Sequence, residues 1–333
     1  MAGGIEAIAA SISADLVLRL PRQNKKQREG LALLTATMLD VRSANLMDLS
    51  ASLPRECERI DMRYQYISRL LGNDHIDVDW VMAPFAREVL ANAAKGRRKL
   101  IVSIDQTKCN DTQQVVVVAL RVGGRSLPLS WRVKETEGAI GFAEQRAALE
   151  VARKLLPEGC EVVLMGDRFY GSPDLIAWCR SVGWDWRLRL KGDLLVFDRD
   201  GESTVADCFA RGERNLVDVG LTGKRVRTNI GMIHEEGHPE PWFIAMSETP
   251  TKAKTFDYGL RWGIEAMFSD FKSRGFGLED SQLQRTDRMD RLILIMALAL
   301  YWAVSTGMWA SENTALPAEK KIPRLVPRRS LAA

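Results

Sequence analysis

Apolar residues recur at helical spacing through the first hundred positions, and few β-branched runs interrupt them. Leu31, Leu34, Met38 and Val41 share one side of a helix predicted over 28–42. A short helix follows the candidate cap Asn45, runs to about Ser52 and stops before Pro54. A third spans about Asp61 to Leu71 and closes at Gly72-Asn73. Two short helices joined by a turn, after a longer one, suit a helix-turn-helix unit. On that reading the third helix offers Arg63, Tyr64, Gln65 and Arg69 to phosphates and base edges, with Arg63 and Arg69 as the DNA-binding candidates. A plain helical bundle with solvated arginines fits the same pattern equally well.

The period changes near residue 100. Leu100 to Asp105 is a short apolar strand ending on an acid, and Val115–Val122 and Ser126–Val133 are two more, with Gly123-Gly124 as a hairpin turn between them. A helix follows over about Phe142–Leu156, then a strand over Cys160–Met165 with Gly166-Asp167 at its end. Ser172-Pro173 is a good cap and first-turn pair for the next helix, and Trp186–Lys191 is the next strand. Residues 192–240 are turn-rich, with short β-like stretches at Asn215–Leu221 and Val226–Met232, and read as an insertion. The core resumes with a strand over Trp242–Ser247, a long helix over about Phe256–Arg274 and an apolar helix over 288–309.

That last helix bears on the class of protein. Leu292 to Trp309 is eighteen residues without a charge, which meets the length test for a membrane span. It also holds Ser305, Thr306 and Gly307, and no second such segment accompanies it, so the buried core helix is the preferred reading. At the N-terminus, Glu6 and Asp15 bracket a small apolar stretch that no basic residue precedes, which is unlike a signal peptide.

Charge adds a direction. The net charge is +4, unevenly spread: residues 1–99 hold 15 basic and 12 acidic side chains, and residues 310–333 hold 5 and 2. Basic ends around a slightly acidic middle fit a polyanion gripped by the flanks, although ordinary surface charge gives the same figures. The Pro-rich tail carries Lys320, Lys321, Arg324, Arg328 and Arg329. Five cysteines at 57, 109, 160, 179 and 208 form no C-x-x-C pair, which argues against a zinc site and for a reducing compartment. His234 and His238 share i, i+4 spacing, but Gly237 and Pro239 oppose a helix there and with it a metal role.

Candidate chemistry then emerges from element order. Three antiparallel strands, helix, strand, helix, strand is the ribonuclease H arrangement, in which the first and fourth strands are neighbours. Asp105 and Asp167 sit at the ends of those strands, and adjacent acids repel unless a cation lies between them. Hard oxygen donors suit Mg²⁺ or Mn²⁺. Along the predicted helix 256–274, Tyr258, Arg261, Glu265 and Lys272 fall on one polar stripe, and Leu260, Ile264, Met267 and Phe271 on an apolar one. Glu265 is thereby the third acid, flanked by cations able to neutralise phosphates. Two metal ions on such a triad support in-line phosphoryl transfer without a protein nucleophile, and no G-x-S-x-G, P-loop or H-E-x-x-H occurs. Each acid alone fits a capping or surface role, and the stripe alone fits a solvated face with one ion pair.

With these residues placed, the sequence resembles the DDE transposases of bacterial insertion sequences, in particular the family-four group. That group is marked by Y-x2-R-x3-E-x6-K, matched here by YGLRWGIEAMFSDFK from Tyr258 to Lys272. IVSIDQT (101–107), MGDRFYGS (165–172), GFGLED (275–280) and the N-terminal LLTATMLDVRSANLMDLSASLPRE are also similar to the family, so the likeness covers about residues 25–310.

The resemblance implies a mixed α/β fold: a ribonuclease H-like catalytic domain over 99–310 with the β-rich insertion at about 192–240, an all-α helix-turn-helix-like DNA-binding domain over 1–98, and a basic tail over 311–333. It implies that Asp105, Asp167 and Glu265 are catalytic ligands of two Mg²⁺ ions, with Mn²⁺ as a substitute, and that Tyr258, Arg261 and Lys272 contact DNA near the cut. The partners it implies are double-stranded DNA, as terminal inverted repeats and target, and a second copy of the chain on paired ends; no membrane is involved and the location is the bacterial cytoplasm. The activity it implies is cut-and-paste transposition through hairpinned ends. A catalytically inactive DNA-binding derivative and a structure-selective nuclease with the same core are the alternatives.

Overall fold

The computed structural model describes residues 2–57, 59–96, 99–199, 201–235 and 239–313. The Arg97-Arg98 pair, His238 and the basic tail beyond residue 313 lie outside the described residues.

Five helices come first: α1 (Ala2–Arg19), α2 (Lys25–Val41), α3 (Leu46–Ser52), α4 (Ile60–Leu71) and α5 (Val78–Ala94). Side-chain caps set three of the starts. Asn24, Asn45 and Asp77 accept from the backbone N–H of Lys26, Met47 and Trp80, satisfying donors the first turn leaves free. The helix expected over 28–42 thus starts three residues earlier, at a cap the periodicity does not register.

The α/β part follows as β1 (Leu100–Lys108), β2 (Gln113–Val122), β3 (Arg125–Glu135), α6 (Phe142–Leu155), β4 (Val162–Gly166), α7 (Pro173–Ser181) and β5 (Asp185–Arg189). β6 (Leu195–Phe197), β7 (Glu202–Thr204), α8 (Val205–Ala210), β8 (Asn215–Leu221), β9 (Val226–Ile233) and β10 (Trp242–Met246) come next. Among the described residues ten strands form one sheet in the order β3-β2-β1-β4-β5-β10-β9-β8-β6-β7. β1 runs parallel to β4, and β4 to β5; the other pairs are antiparallel. The first five strands therefore take the ribonuclease H-like order that element sequence predicted. The insertion does not interrupt the sheet: β10 joins its edge at β5, and the insertion strands extend it beyond β10.

Both faces of the sheet are covered. Along β2, Val115, Val117 and Ala119 face one core and Val116, Val118 and Leu120 the other, as strand alternation requires. The second core lies under α6 and α7 and continues into the insertion. The first is continuous with the N-terminal helices: Leu34, Met38, Leu49, Ile67 and Phe85 join one cluster with Met267, Phe271 and the apolar run of the last helix, α11 (Thr286–Asn313). Leu292–Ala299 are buried in that cluster. α11 is the one helix among the described residues long and apolar enough to cross a membrane, and 56% of its most apolar window is buried within the protein, as a core helix requires.

The helix expected over 256–274 is broken. It consists of α9 (Lys252–Phe256), a 3₁₀ helix (Asp257–Trp262) and α10 (Gly263–Phe271). A 3₁₀ turn advances about 120° per residue, so a stripe drawn at 100° per residue does not run unbroken across it. Gly263 shows why the segment lies so close to the sheet: a Cβ there would sit 2.9 Å from Ser126 Oγ and 3.1 Å from the Arg125 carbonyl oxygen.

Candidate active site

Register brings the first two acids together. The β1/β4 ladder ends at Ile104 opposite Gly166. One residue further along, Asp105 and Asp167 emerge side by side. The strand does not end at Asp105, as expected, but continues to Lys108 along β2, with Asp105 opposite Val117. Ile104 points into the core under α6, so alternation turns Asp105 to the opposite face, where the 3₁₀ helix and α10 pack.

Asp167 is held by the turn that follows it. Its Oδ1 accepts from Phe169 N (2.9 Å) and its carbonyl from Tyr170 N (3.0 Å). This turn passes so close to β5 that a Cβ on Gly171 would lie 2.2 Å from the Arg189 carbonyl oxygen. Ser172 then caps α7 by accepting from Leu175 N, with Pro173 in the first turn, as expected.

Arg261 links the first and third acids. It donates from Nη1 to Asp105 Oδ2 (2.9 Å) and from Nη2 to Glu265 Oε1 (2.5 Å). Arg261 is 7% exposed, and Tyr258, whose ring centroid lies 5.8 Å from Arg261 Cζ, is 2% exposed. Both expected DNA contacts are thus covered, and reaching DNA requires them to be uncovered. Burial drives the Asp105 carboxyl up to about 6; Arg261 opposes that rise, and the negative charges of Asp167 and Glu265 add to it. Burial likewise pushes the Tyr258 hydroxyl up to about 12, against Arg261 and with Asp167.

Lys272 does not join this group. It stands just past the end of α10, and its Nζ lies 2.6 Å from Glu279 Oε1 in a short 3₁₀ helix (Leu278–Ser281) before α11. The sequence pattern placed it on the stripe by counting helical turns through a segment that is not one helix. Of the N-terminal candidates, Arg69 is exposed on α4, whereas Arg63 turns back and donates to the Cys57 and Ala51 carbonyl oxygens.

Two residues at the site escaped the sequence reading. Tyr170 is fully buried, its hydroxyl has no hydrogen-bond partner among the described residues, and burial together with Asp105 and Asp167 raises its ionisation far above the usual range. Trp262, next to Arg261, is 46% exposed and packs edge-on against Trp242, which packs edge-on against Tyr258. Their position in the motifs around Asp167 and Arg261 was the available signal.

Could a divalent cation sit here? The donors are of the right kind: Asp105 and Asp167, hard oxygen ligands, follow the end of the β1/β4 ladder with Glu265 across Arg261, and the buried Tyr170 Oη is without a partner among the described residues. Among the described residues, however, no group of three or more His, Cys, Asp or Glu side chains is gathered closely enough to hold a metal. Arg261 supplies the positive charge between the acids instead. The carboxylates fit a hard cation by donor type, with Arg261 standing between Asp105 and Glu265.

In comparisons with known proteins, a family model described as a transposase DDE domain matches residues 135–302, which include Asp167 and Glu265 and begin after Asp105. No curated protein matches the chain.

Proposed function

The chain belongs to the transposase DDE-domain family, and from that membership we propose that it is an insertion-sequence transposase of the family-four type that cuts DNA at the ends of its element and joins those ends to target DNA. The family carries DNA binding with it; cut-and-paste excision, terminal inverted repeats as the substrate and a dimer on paired ends are part of the proposal.

The observation that supports the reading best is the placement of Asp105 and Asp167 one residue past the end of the β1/β4 ladder, with the buried Arg261 joining Asp105 to Glu265. Asp105 is held under burial near the negative charges of Asp167 and Glu265, which points to a cation-dependent task. Asp105, Asp167 and Glu265 would hold Mg²⁺, which when bound activates the attacking hydroxyl and stabilises the leaving oxygen of phosphoryl transfer. Asp105, raised by burial, is already paired with Arg261, and a cation would lower it further. Arg261 has a planar fork that fits a carboxylate or a phosphate equally, so it exchanges Glu265 for the DNA backbone. Tyr258 and Trp242 fix the face of the 3₁₀ helix from which that arginine projects.

The test is end cleavage by the full chain with Mg²⁺, on duplexes carrying the DNA that flanks its reading frame. Cleavage leaving 3′-hydroxyls, followed by joining to a second duplex, is expected. Asp105→Asn, Asp167→Asn and Glu265→Gln should each abolish cutting while sparing duplex binding. Cutting that survives in Asp105→Ala would sink the assignment.

A further inference from the structure

From the end of α10 to the first turns of α11, residues 272–291 form a strap tied to separate parts of the molecule. At its start the strap winds back onto α10, the helix of Glu265. The N–H groups of Phe276 and Gly277 donate to the Asp270 and Lys272 carbonyl oxygens, both at 2.9 Å. The turn is tight: a Cβ on Gly275 would lie 1.8 Å from the Asp270 carbonyl oxygen. In its middle the strap is held by the turn that leaves β1, the strand of Asp105. Asn110 Nδ2 donates to the Leu283 carbonyl at 2.8 Å, and Gln113 Nε2 to the Gln284 carbonyl.

The same strap grips α3 and α4. Asn45 caps α3 with its side-chain oxygen and donates from Nδ2 to the Asp280 carbonyl at 3.2 Å. At the far end Arg288 Nη1 donates to Ser68 Oγ at 2.9 Å. Arg291 donates to the carbonyl oxygens of Leu71 at 3.0 Å and Ile76 at 3.1 Å. Leu71 is the last residue of α4, so its carbonyl is one that a helix end leaves without an internal partner. A cation is favoured there by the helix dipole as well. The Arg291 side chain is only 12% exposed, so this contact is part of the packed interior. Tyr64, Gln65 and Arg69 of α4 stay exposed.

We propose that the strap is a ruler: Asn45, Arg288 and Arg291 are positioning residues that hold α3 and α4 at a set distance from Asp105 and Glu265, and so fix where a duplex bound on α4 is cut. The proposal rests on the transposase reading, with α4 as the helix that takes DNA. Most of the strap's bonds end on backbone carbonyls, which fix the place of an element whatever side chains it displays. A shift of about 1 Å at a reacting centre can cost about 100-fold in rate. A loosened ruler therefore shows in the rate and position of cutting, while the DNA-facing side of α4 is unchanged.

The test pairs end cleavage by the full chain with Mg²⁺, mapped to the nucleotide on duplexes carrying the DNA that flanks its reading frame, with hydrogen exchange of the free chain. The wild type should cut at one position. Asn45→Asp keeps an oxygen to cap α3 and loses only the donor to Asp280. Asn45→Asp, Arg288→Gln and Arg291→Gln should each leave duplex affinity within about twofold. Each should slow single-turnover cutting by about 10–100-fold and spread the cuts over neighbouring positions. Amides of residues 68–76 should exchange at least about tenfold faster in Arg291→Gln. Arg291→Lys, which still offers a charged donor to the end of α4, should restore most of the single cut position. If Arg291→Gln does not fold, Asn45→Asp decides. A single cut position kept in the folded variants, or affinity and rate falling together, would overturn the ruler in a wild type that cuts. Faster exchange at 68–76 in a protein that cuts no DNA would keep the strap's hold on α4 and remove the transposase reading.

Discussion

Arg261 donates to Asp105 across 2.9 Å, between a 3₁₀ helix and a β-strand 156 residues earlier in the chain. The pair is nearly sealed from solvent, and the same guanidinium also holds Glu265. A buried pair of this kind costs little when both partners are present and much when one is lost.

Removing the arginine should therefore harm stability more than removing the acid. Arg261→Gln is expected to lower the unfolding free energy by about 3 kcal/mol in urea titrations. Arg261→Lys should recover only part of it, because an ammonium lacks the planar fork that spans Asp105 and Glu265 in fixed geometry. Equal losses in Arg261→Gln and Asp105→Asn would contradict the arrangement.

Asp105 should leave a signature in the pH dependence of stability. Its carboxyl lies at about 6 in the folded chain, above its usual value of 3.8. The folded state thus favours the protonated form, so this group's contribution is greatest below the usual value and declines as pH rises to about 6. Without divalent metal, Asp105→Asn should gain on the wild type by roughly 2–3 kcal/mol across that interval. A constant difference between the two would count against the buried acid.

Added metal should act in the opposite direction. A cation that binds only the folded acids stabilises the chain by mass action. Tm of the wild type should rise with millimolar Mg²⁺ or Mn²⁺, whereas those of Asp105→Asn and Asp167→Asn should not. A rise of equal size in all three would place the metal elsewhere.

A second charge cluster predicts behaviour in acid. The Lys99 ammonium, with Arg187 and Lys254, holds the Glu248 carboxyl down at about 2 despite its partial burial. A depressed carboxyl stabilises the fold above its usual value near 4.5 and loses that contribution as pH falls to about 2. Glu248→Gln should cost on the order of 2 kcal/mol at neutral pH and flatten the acid limb of the stability curve. An unchanged acid limb would remove the cluster from the account.

Close backbone approach supplies a steric test near the site. Gly171→Ala would drive a methyl group into the Arg189 carbonyl. A loss of about 1–3 kcal/mol is expected in thermal unfolding, with cleavage impaired because the same turn holds Asp167. Wild-type behaviour in both measurements would show that the turn has slack.

Local pattern was enough for much of this molecule. Strand alternation, Ser172-Pro173 and the Gly123-Gly124 turn are short-range signals, and the strands, caps and hairpin they announce are present. Element order was enough for the sheet from β3 to β5, since right-handed crossovers leave few ways to wind it. The same order brought Asp105 beside Asp167 before any coordinates. The insertion was legible as β-rich, but its attachment to the sheet through β10 was not, because strand partners far apart in sequence leave no local mark.

The sequence by itself determined which residue types were available: the two aspartates on neighbouring strands, and Tyr258, Arg261 and Glu265 near one another in a helical segment. Tertiary packing decided what they do together. The segment packs closely on the sheet at Gly263, and the 3₁₀ helix before it brings Arg261 between Asp105 and Glu265, while Lys272 pairs with Glu279. The strap over residues 272–291 is likewise a product of packing, because its partners Asn45, Leu71 and Asn110 belong to distant parts of the chain. Periodicity carries information about faces of single elements; burial, charge pairing and long-range hydrogen bonds arise where elements meet.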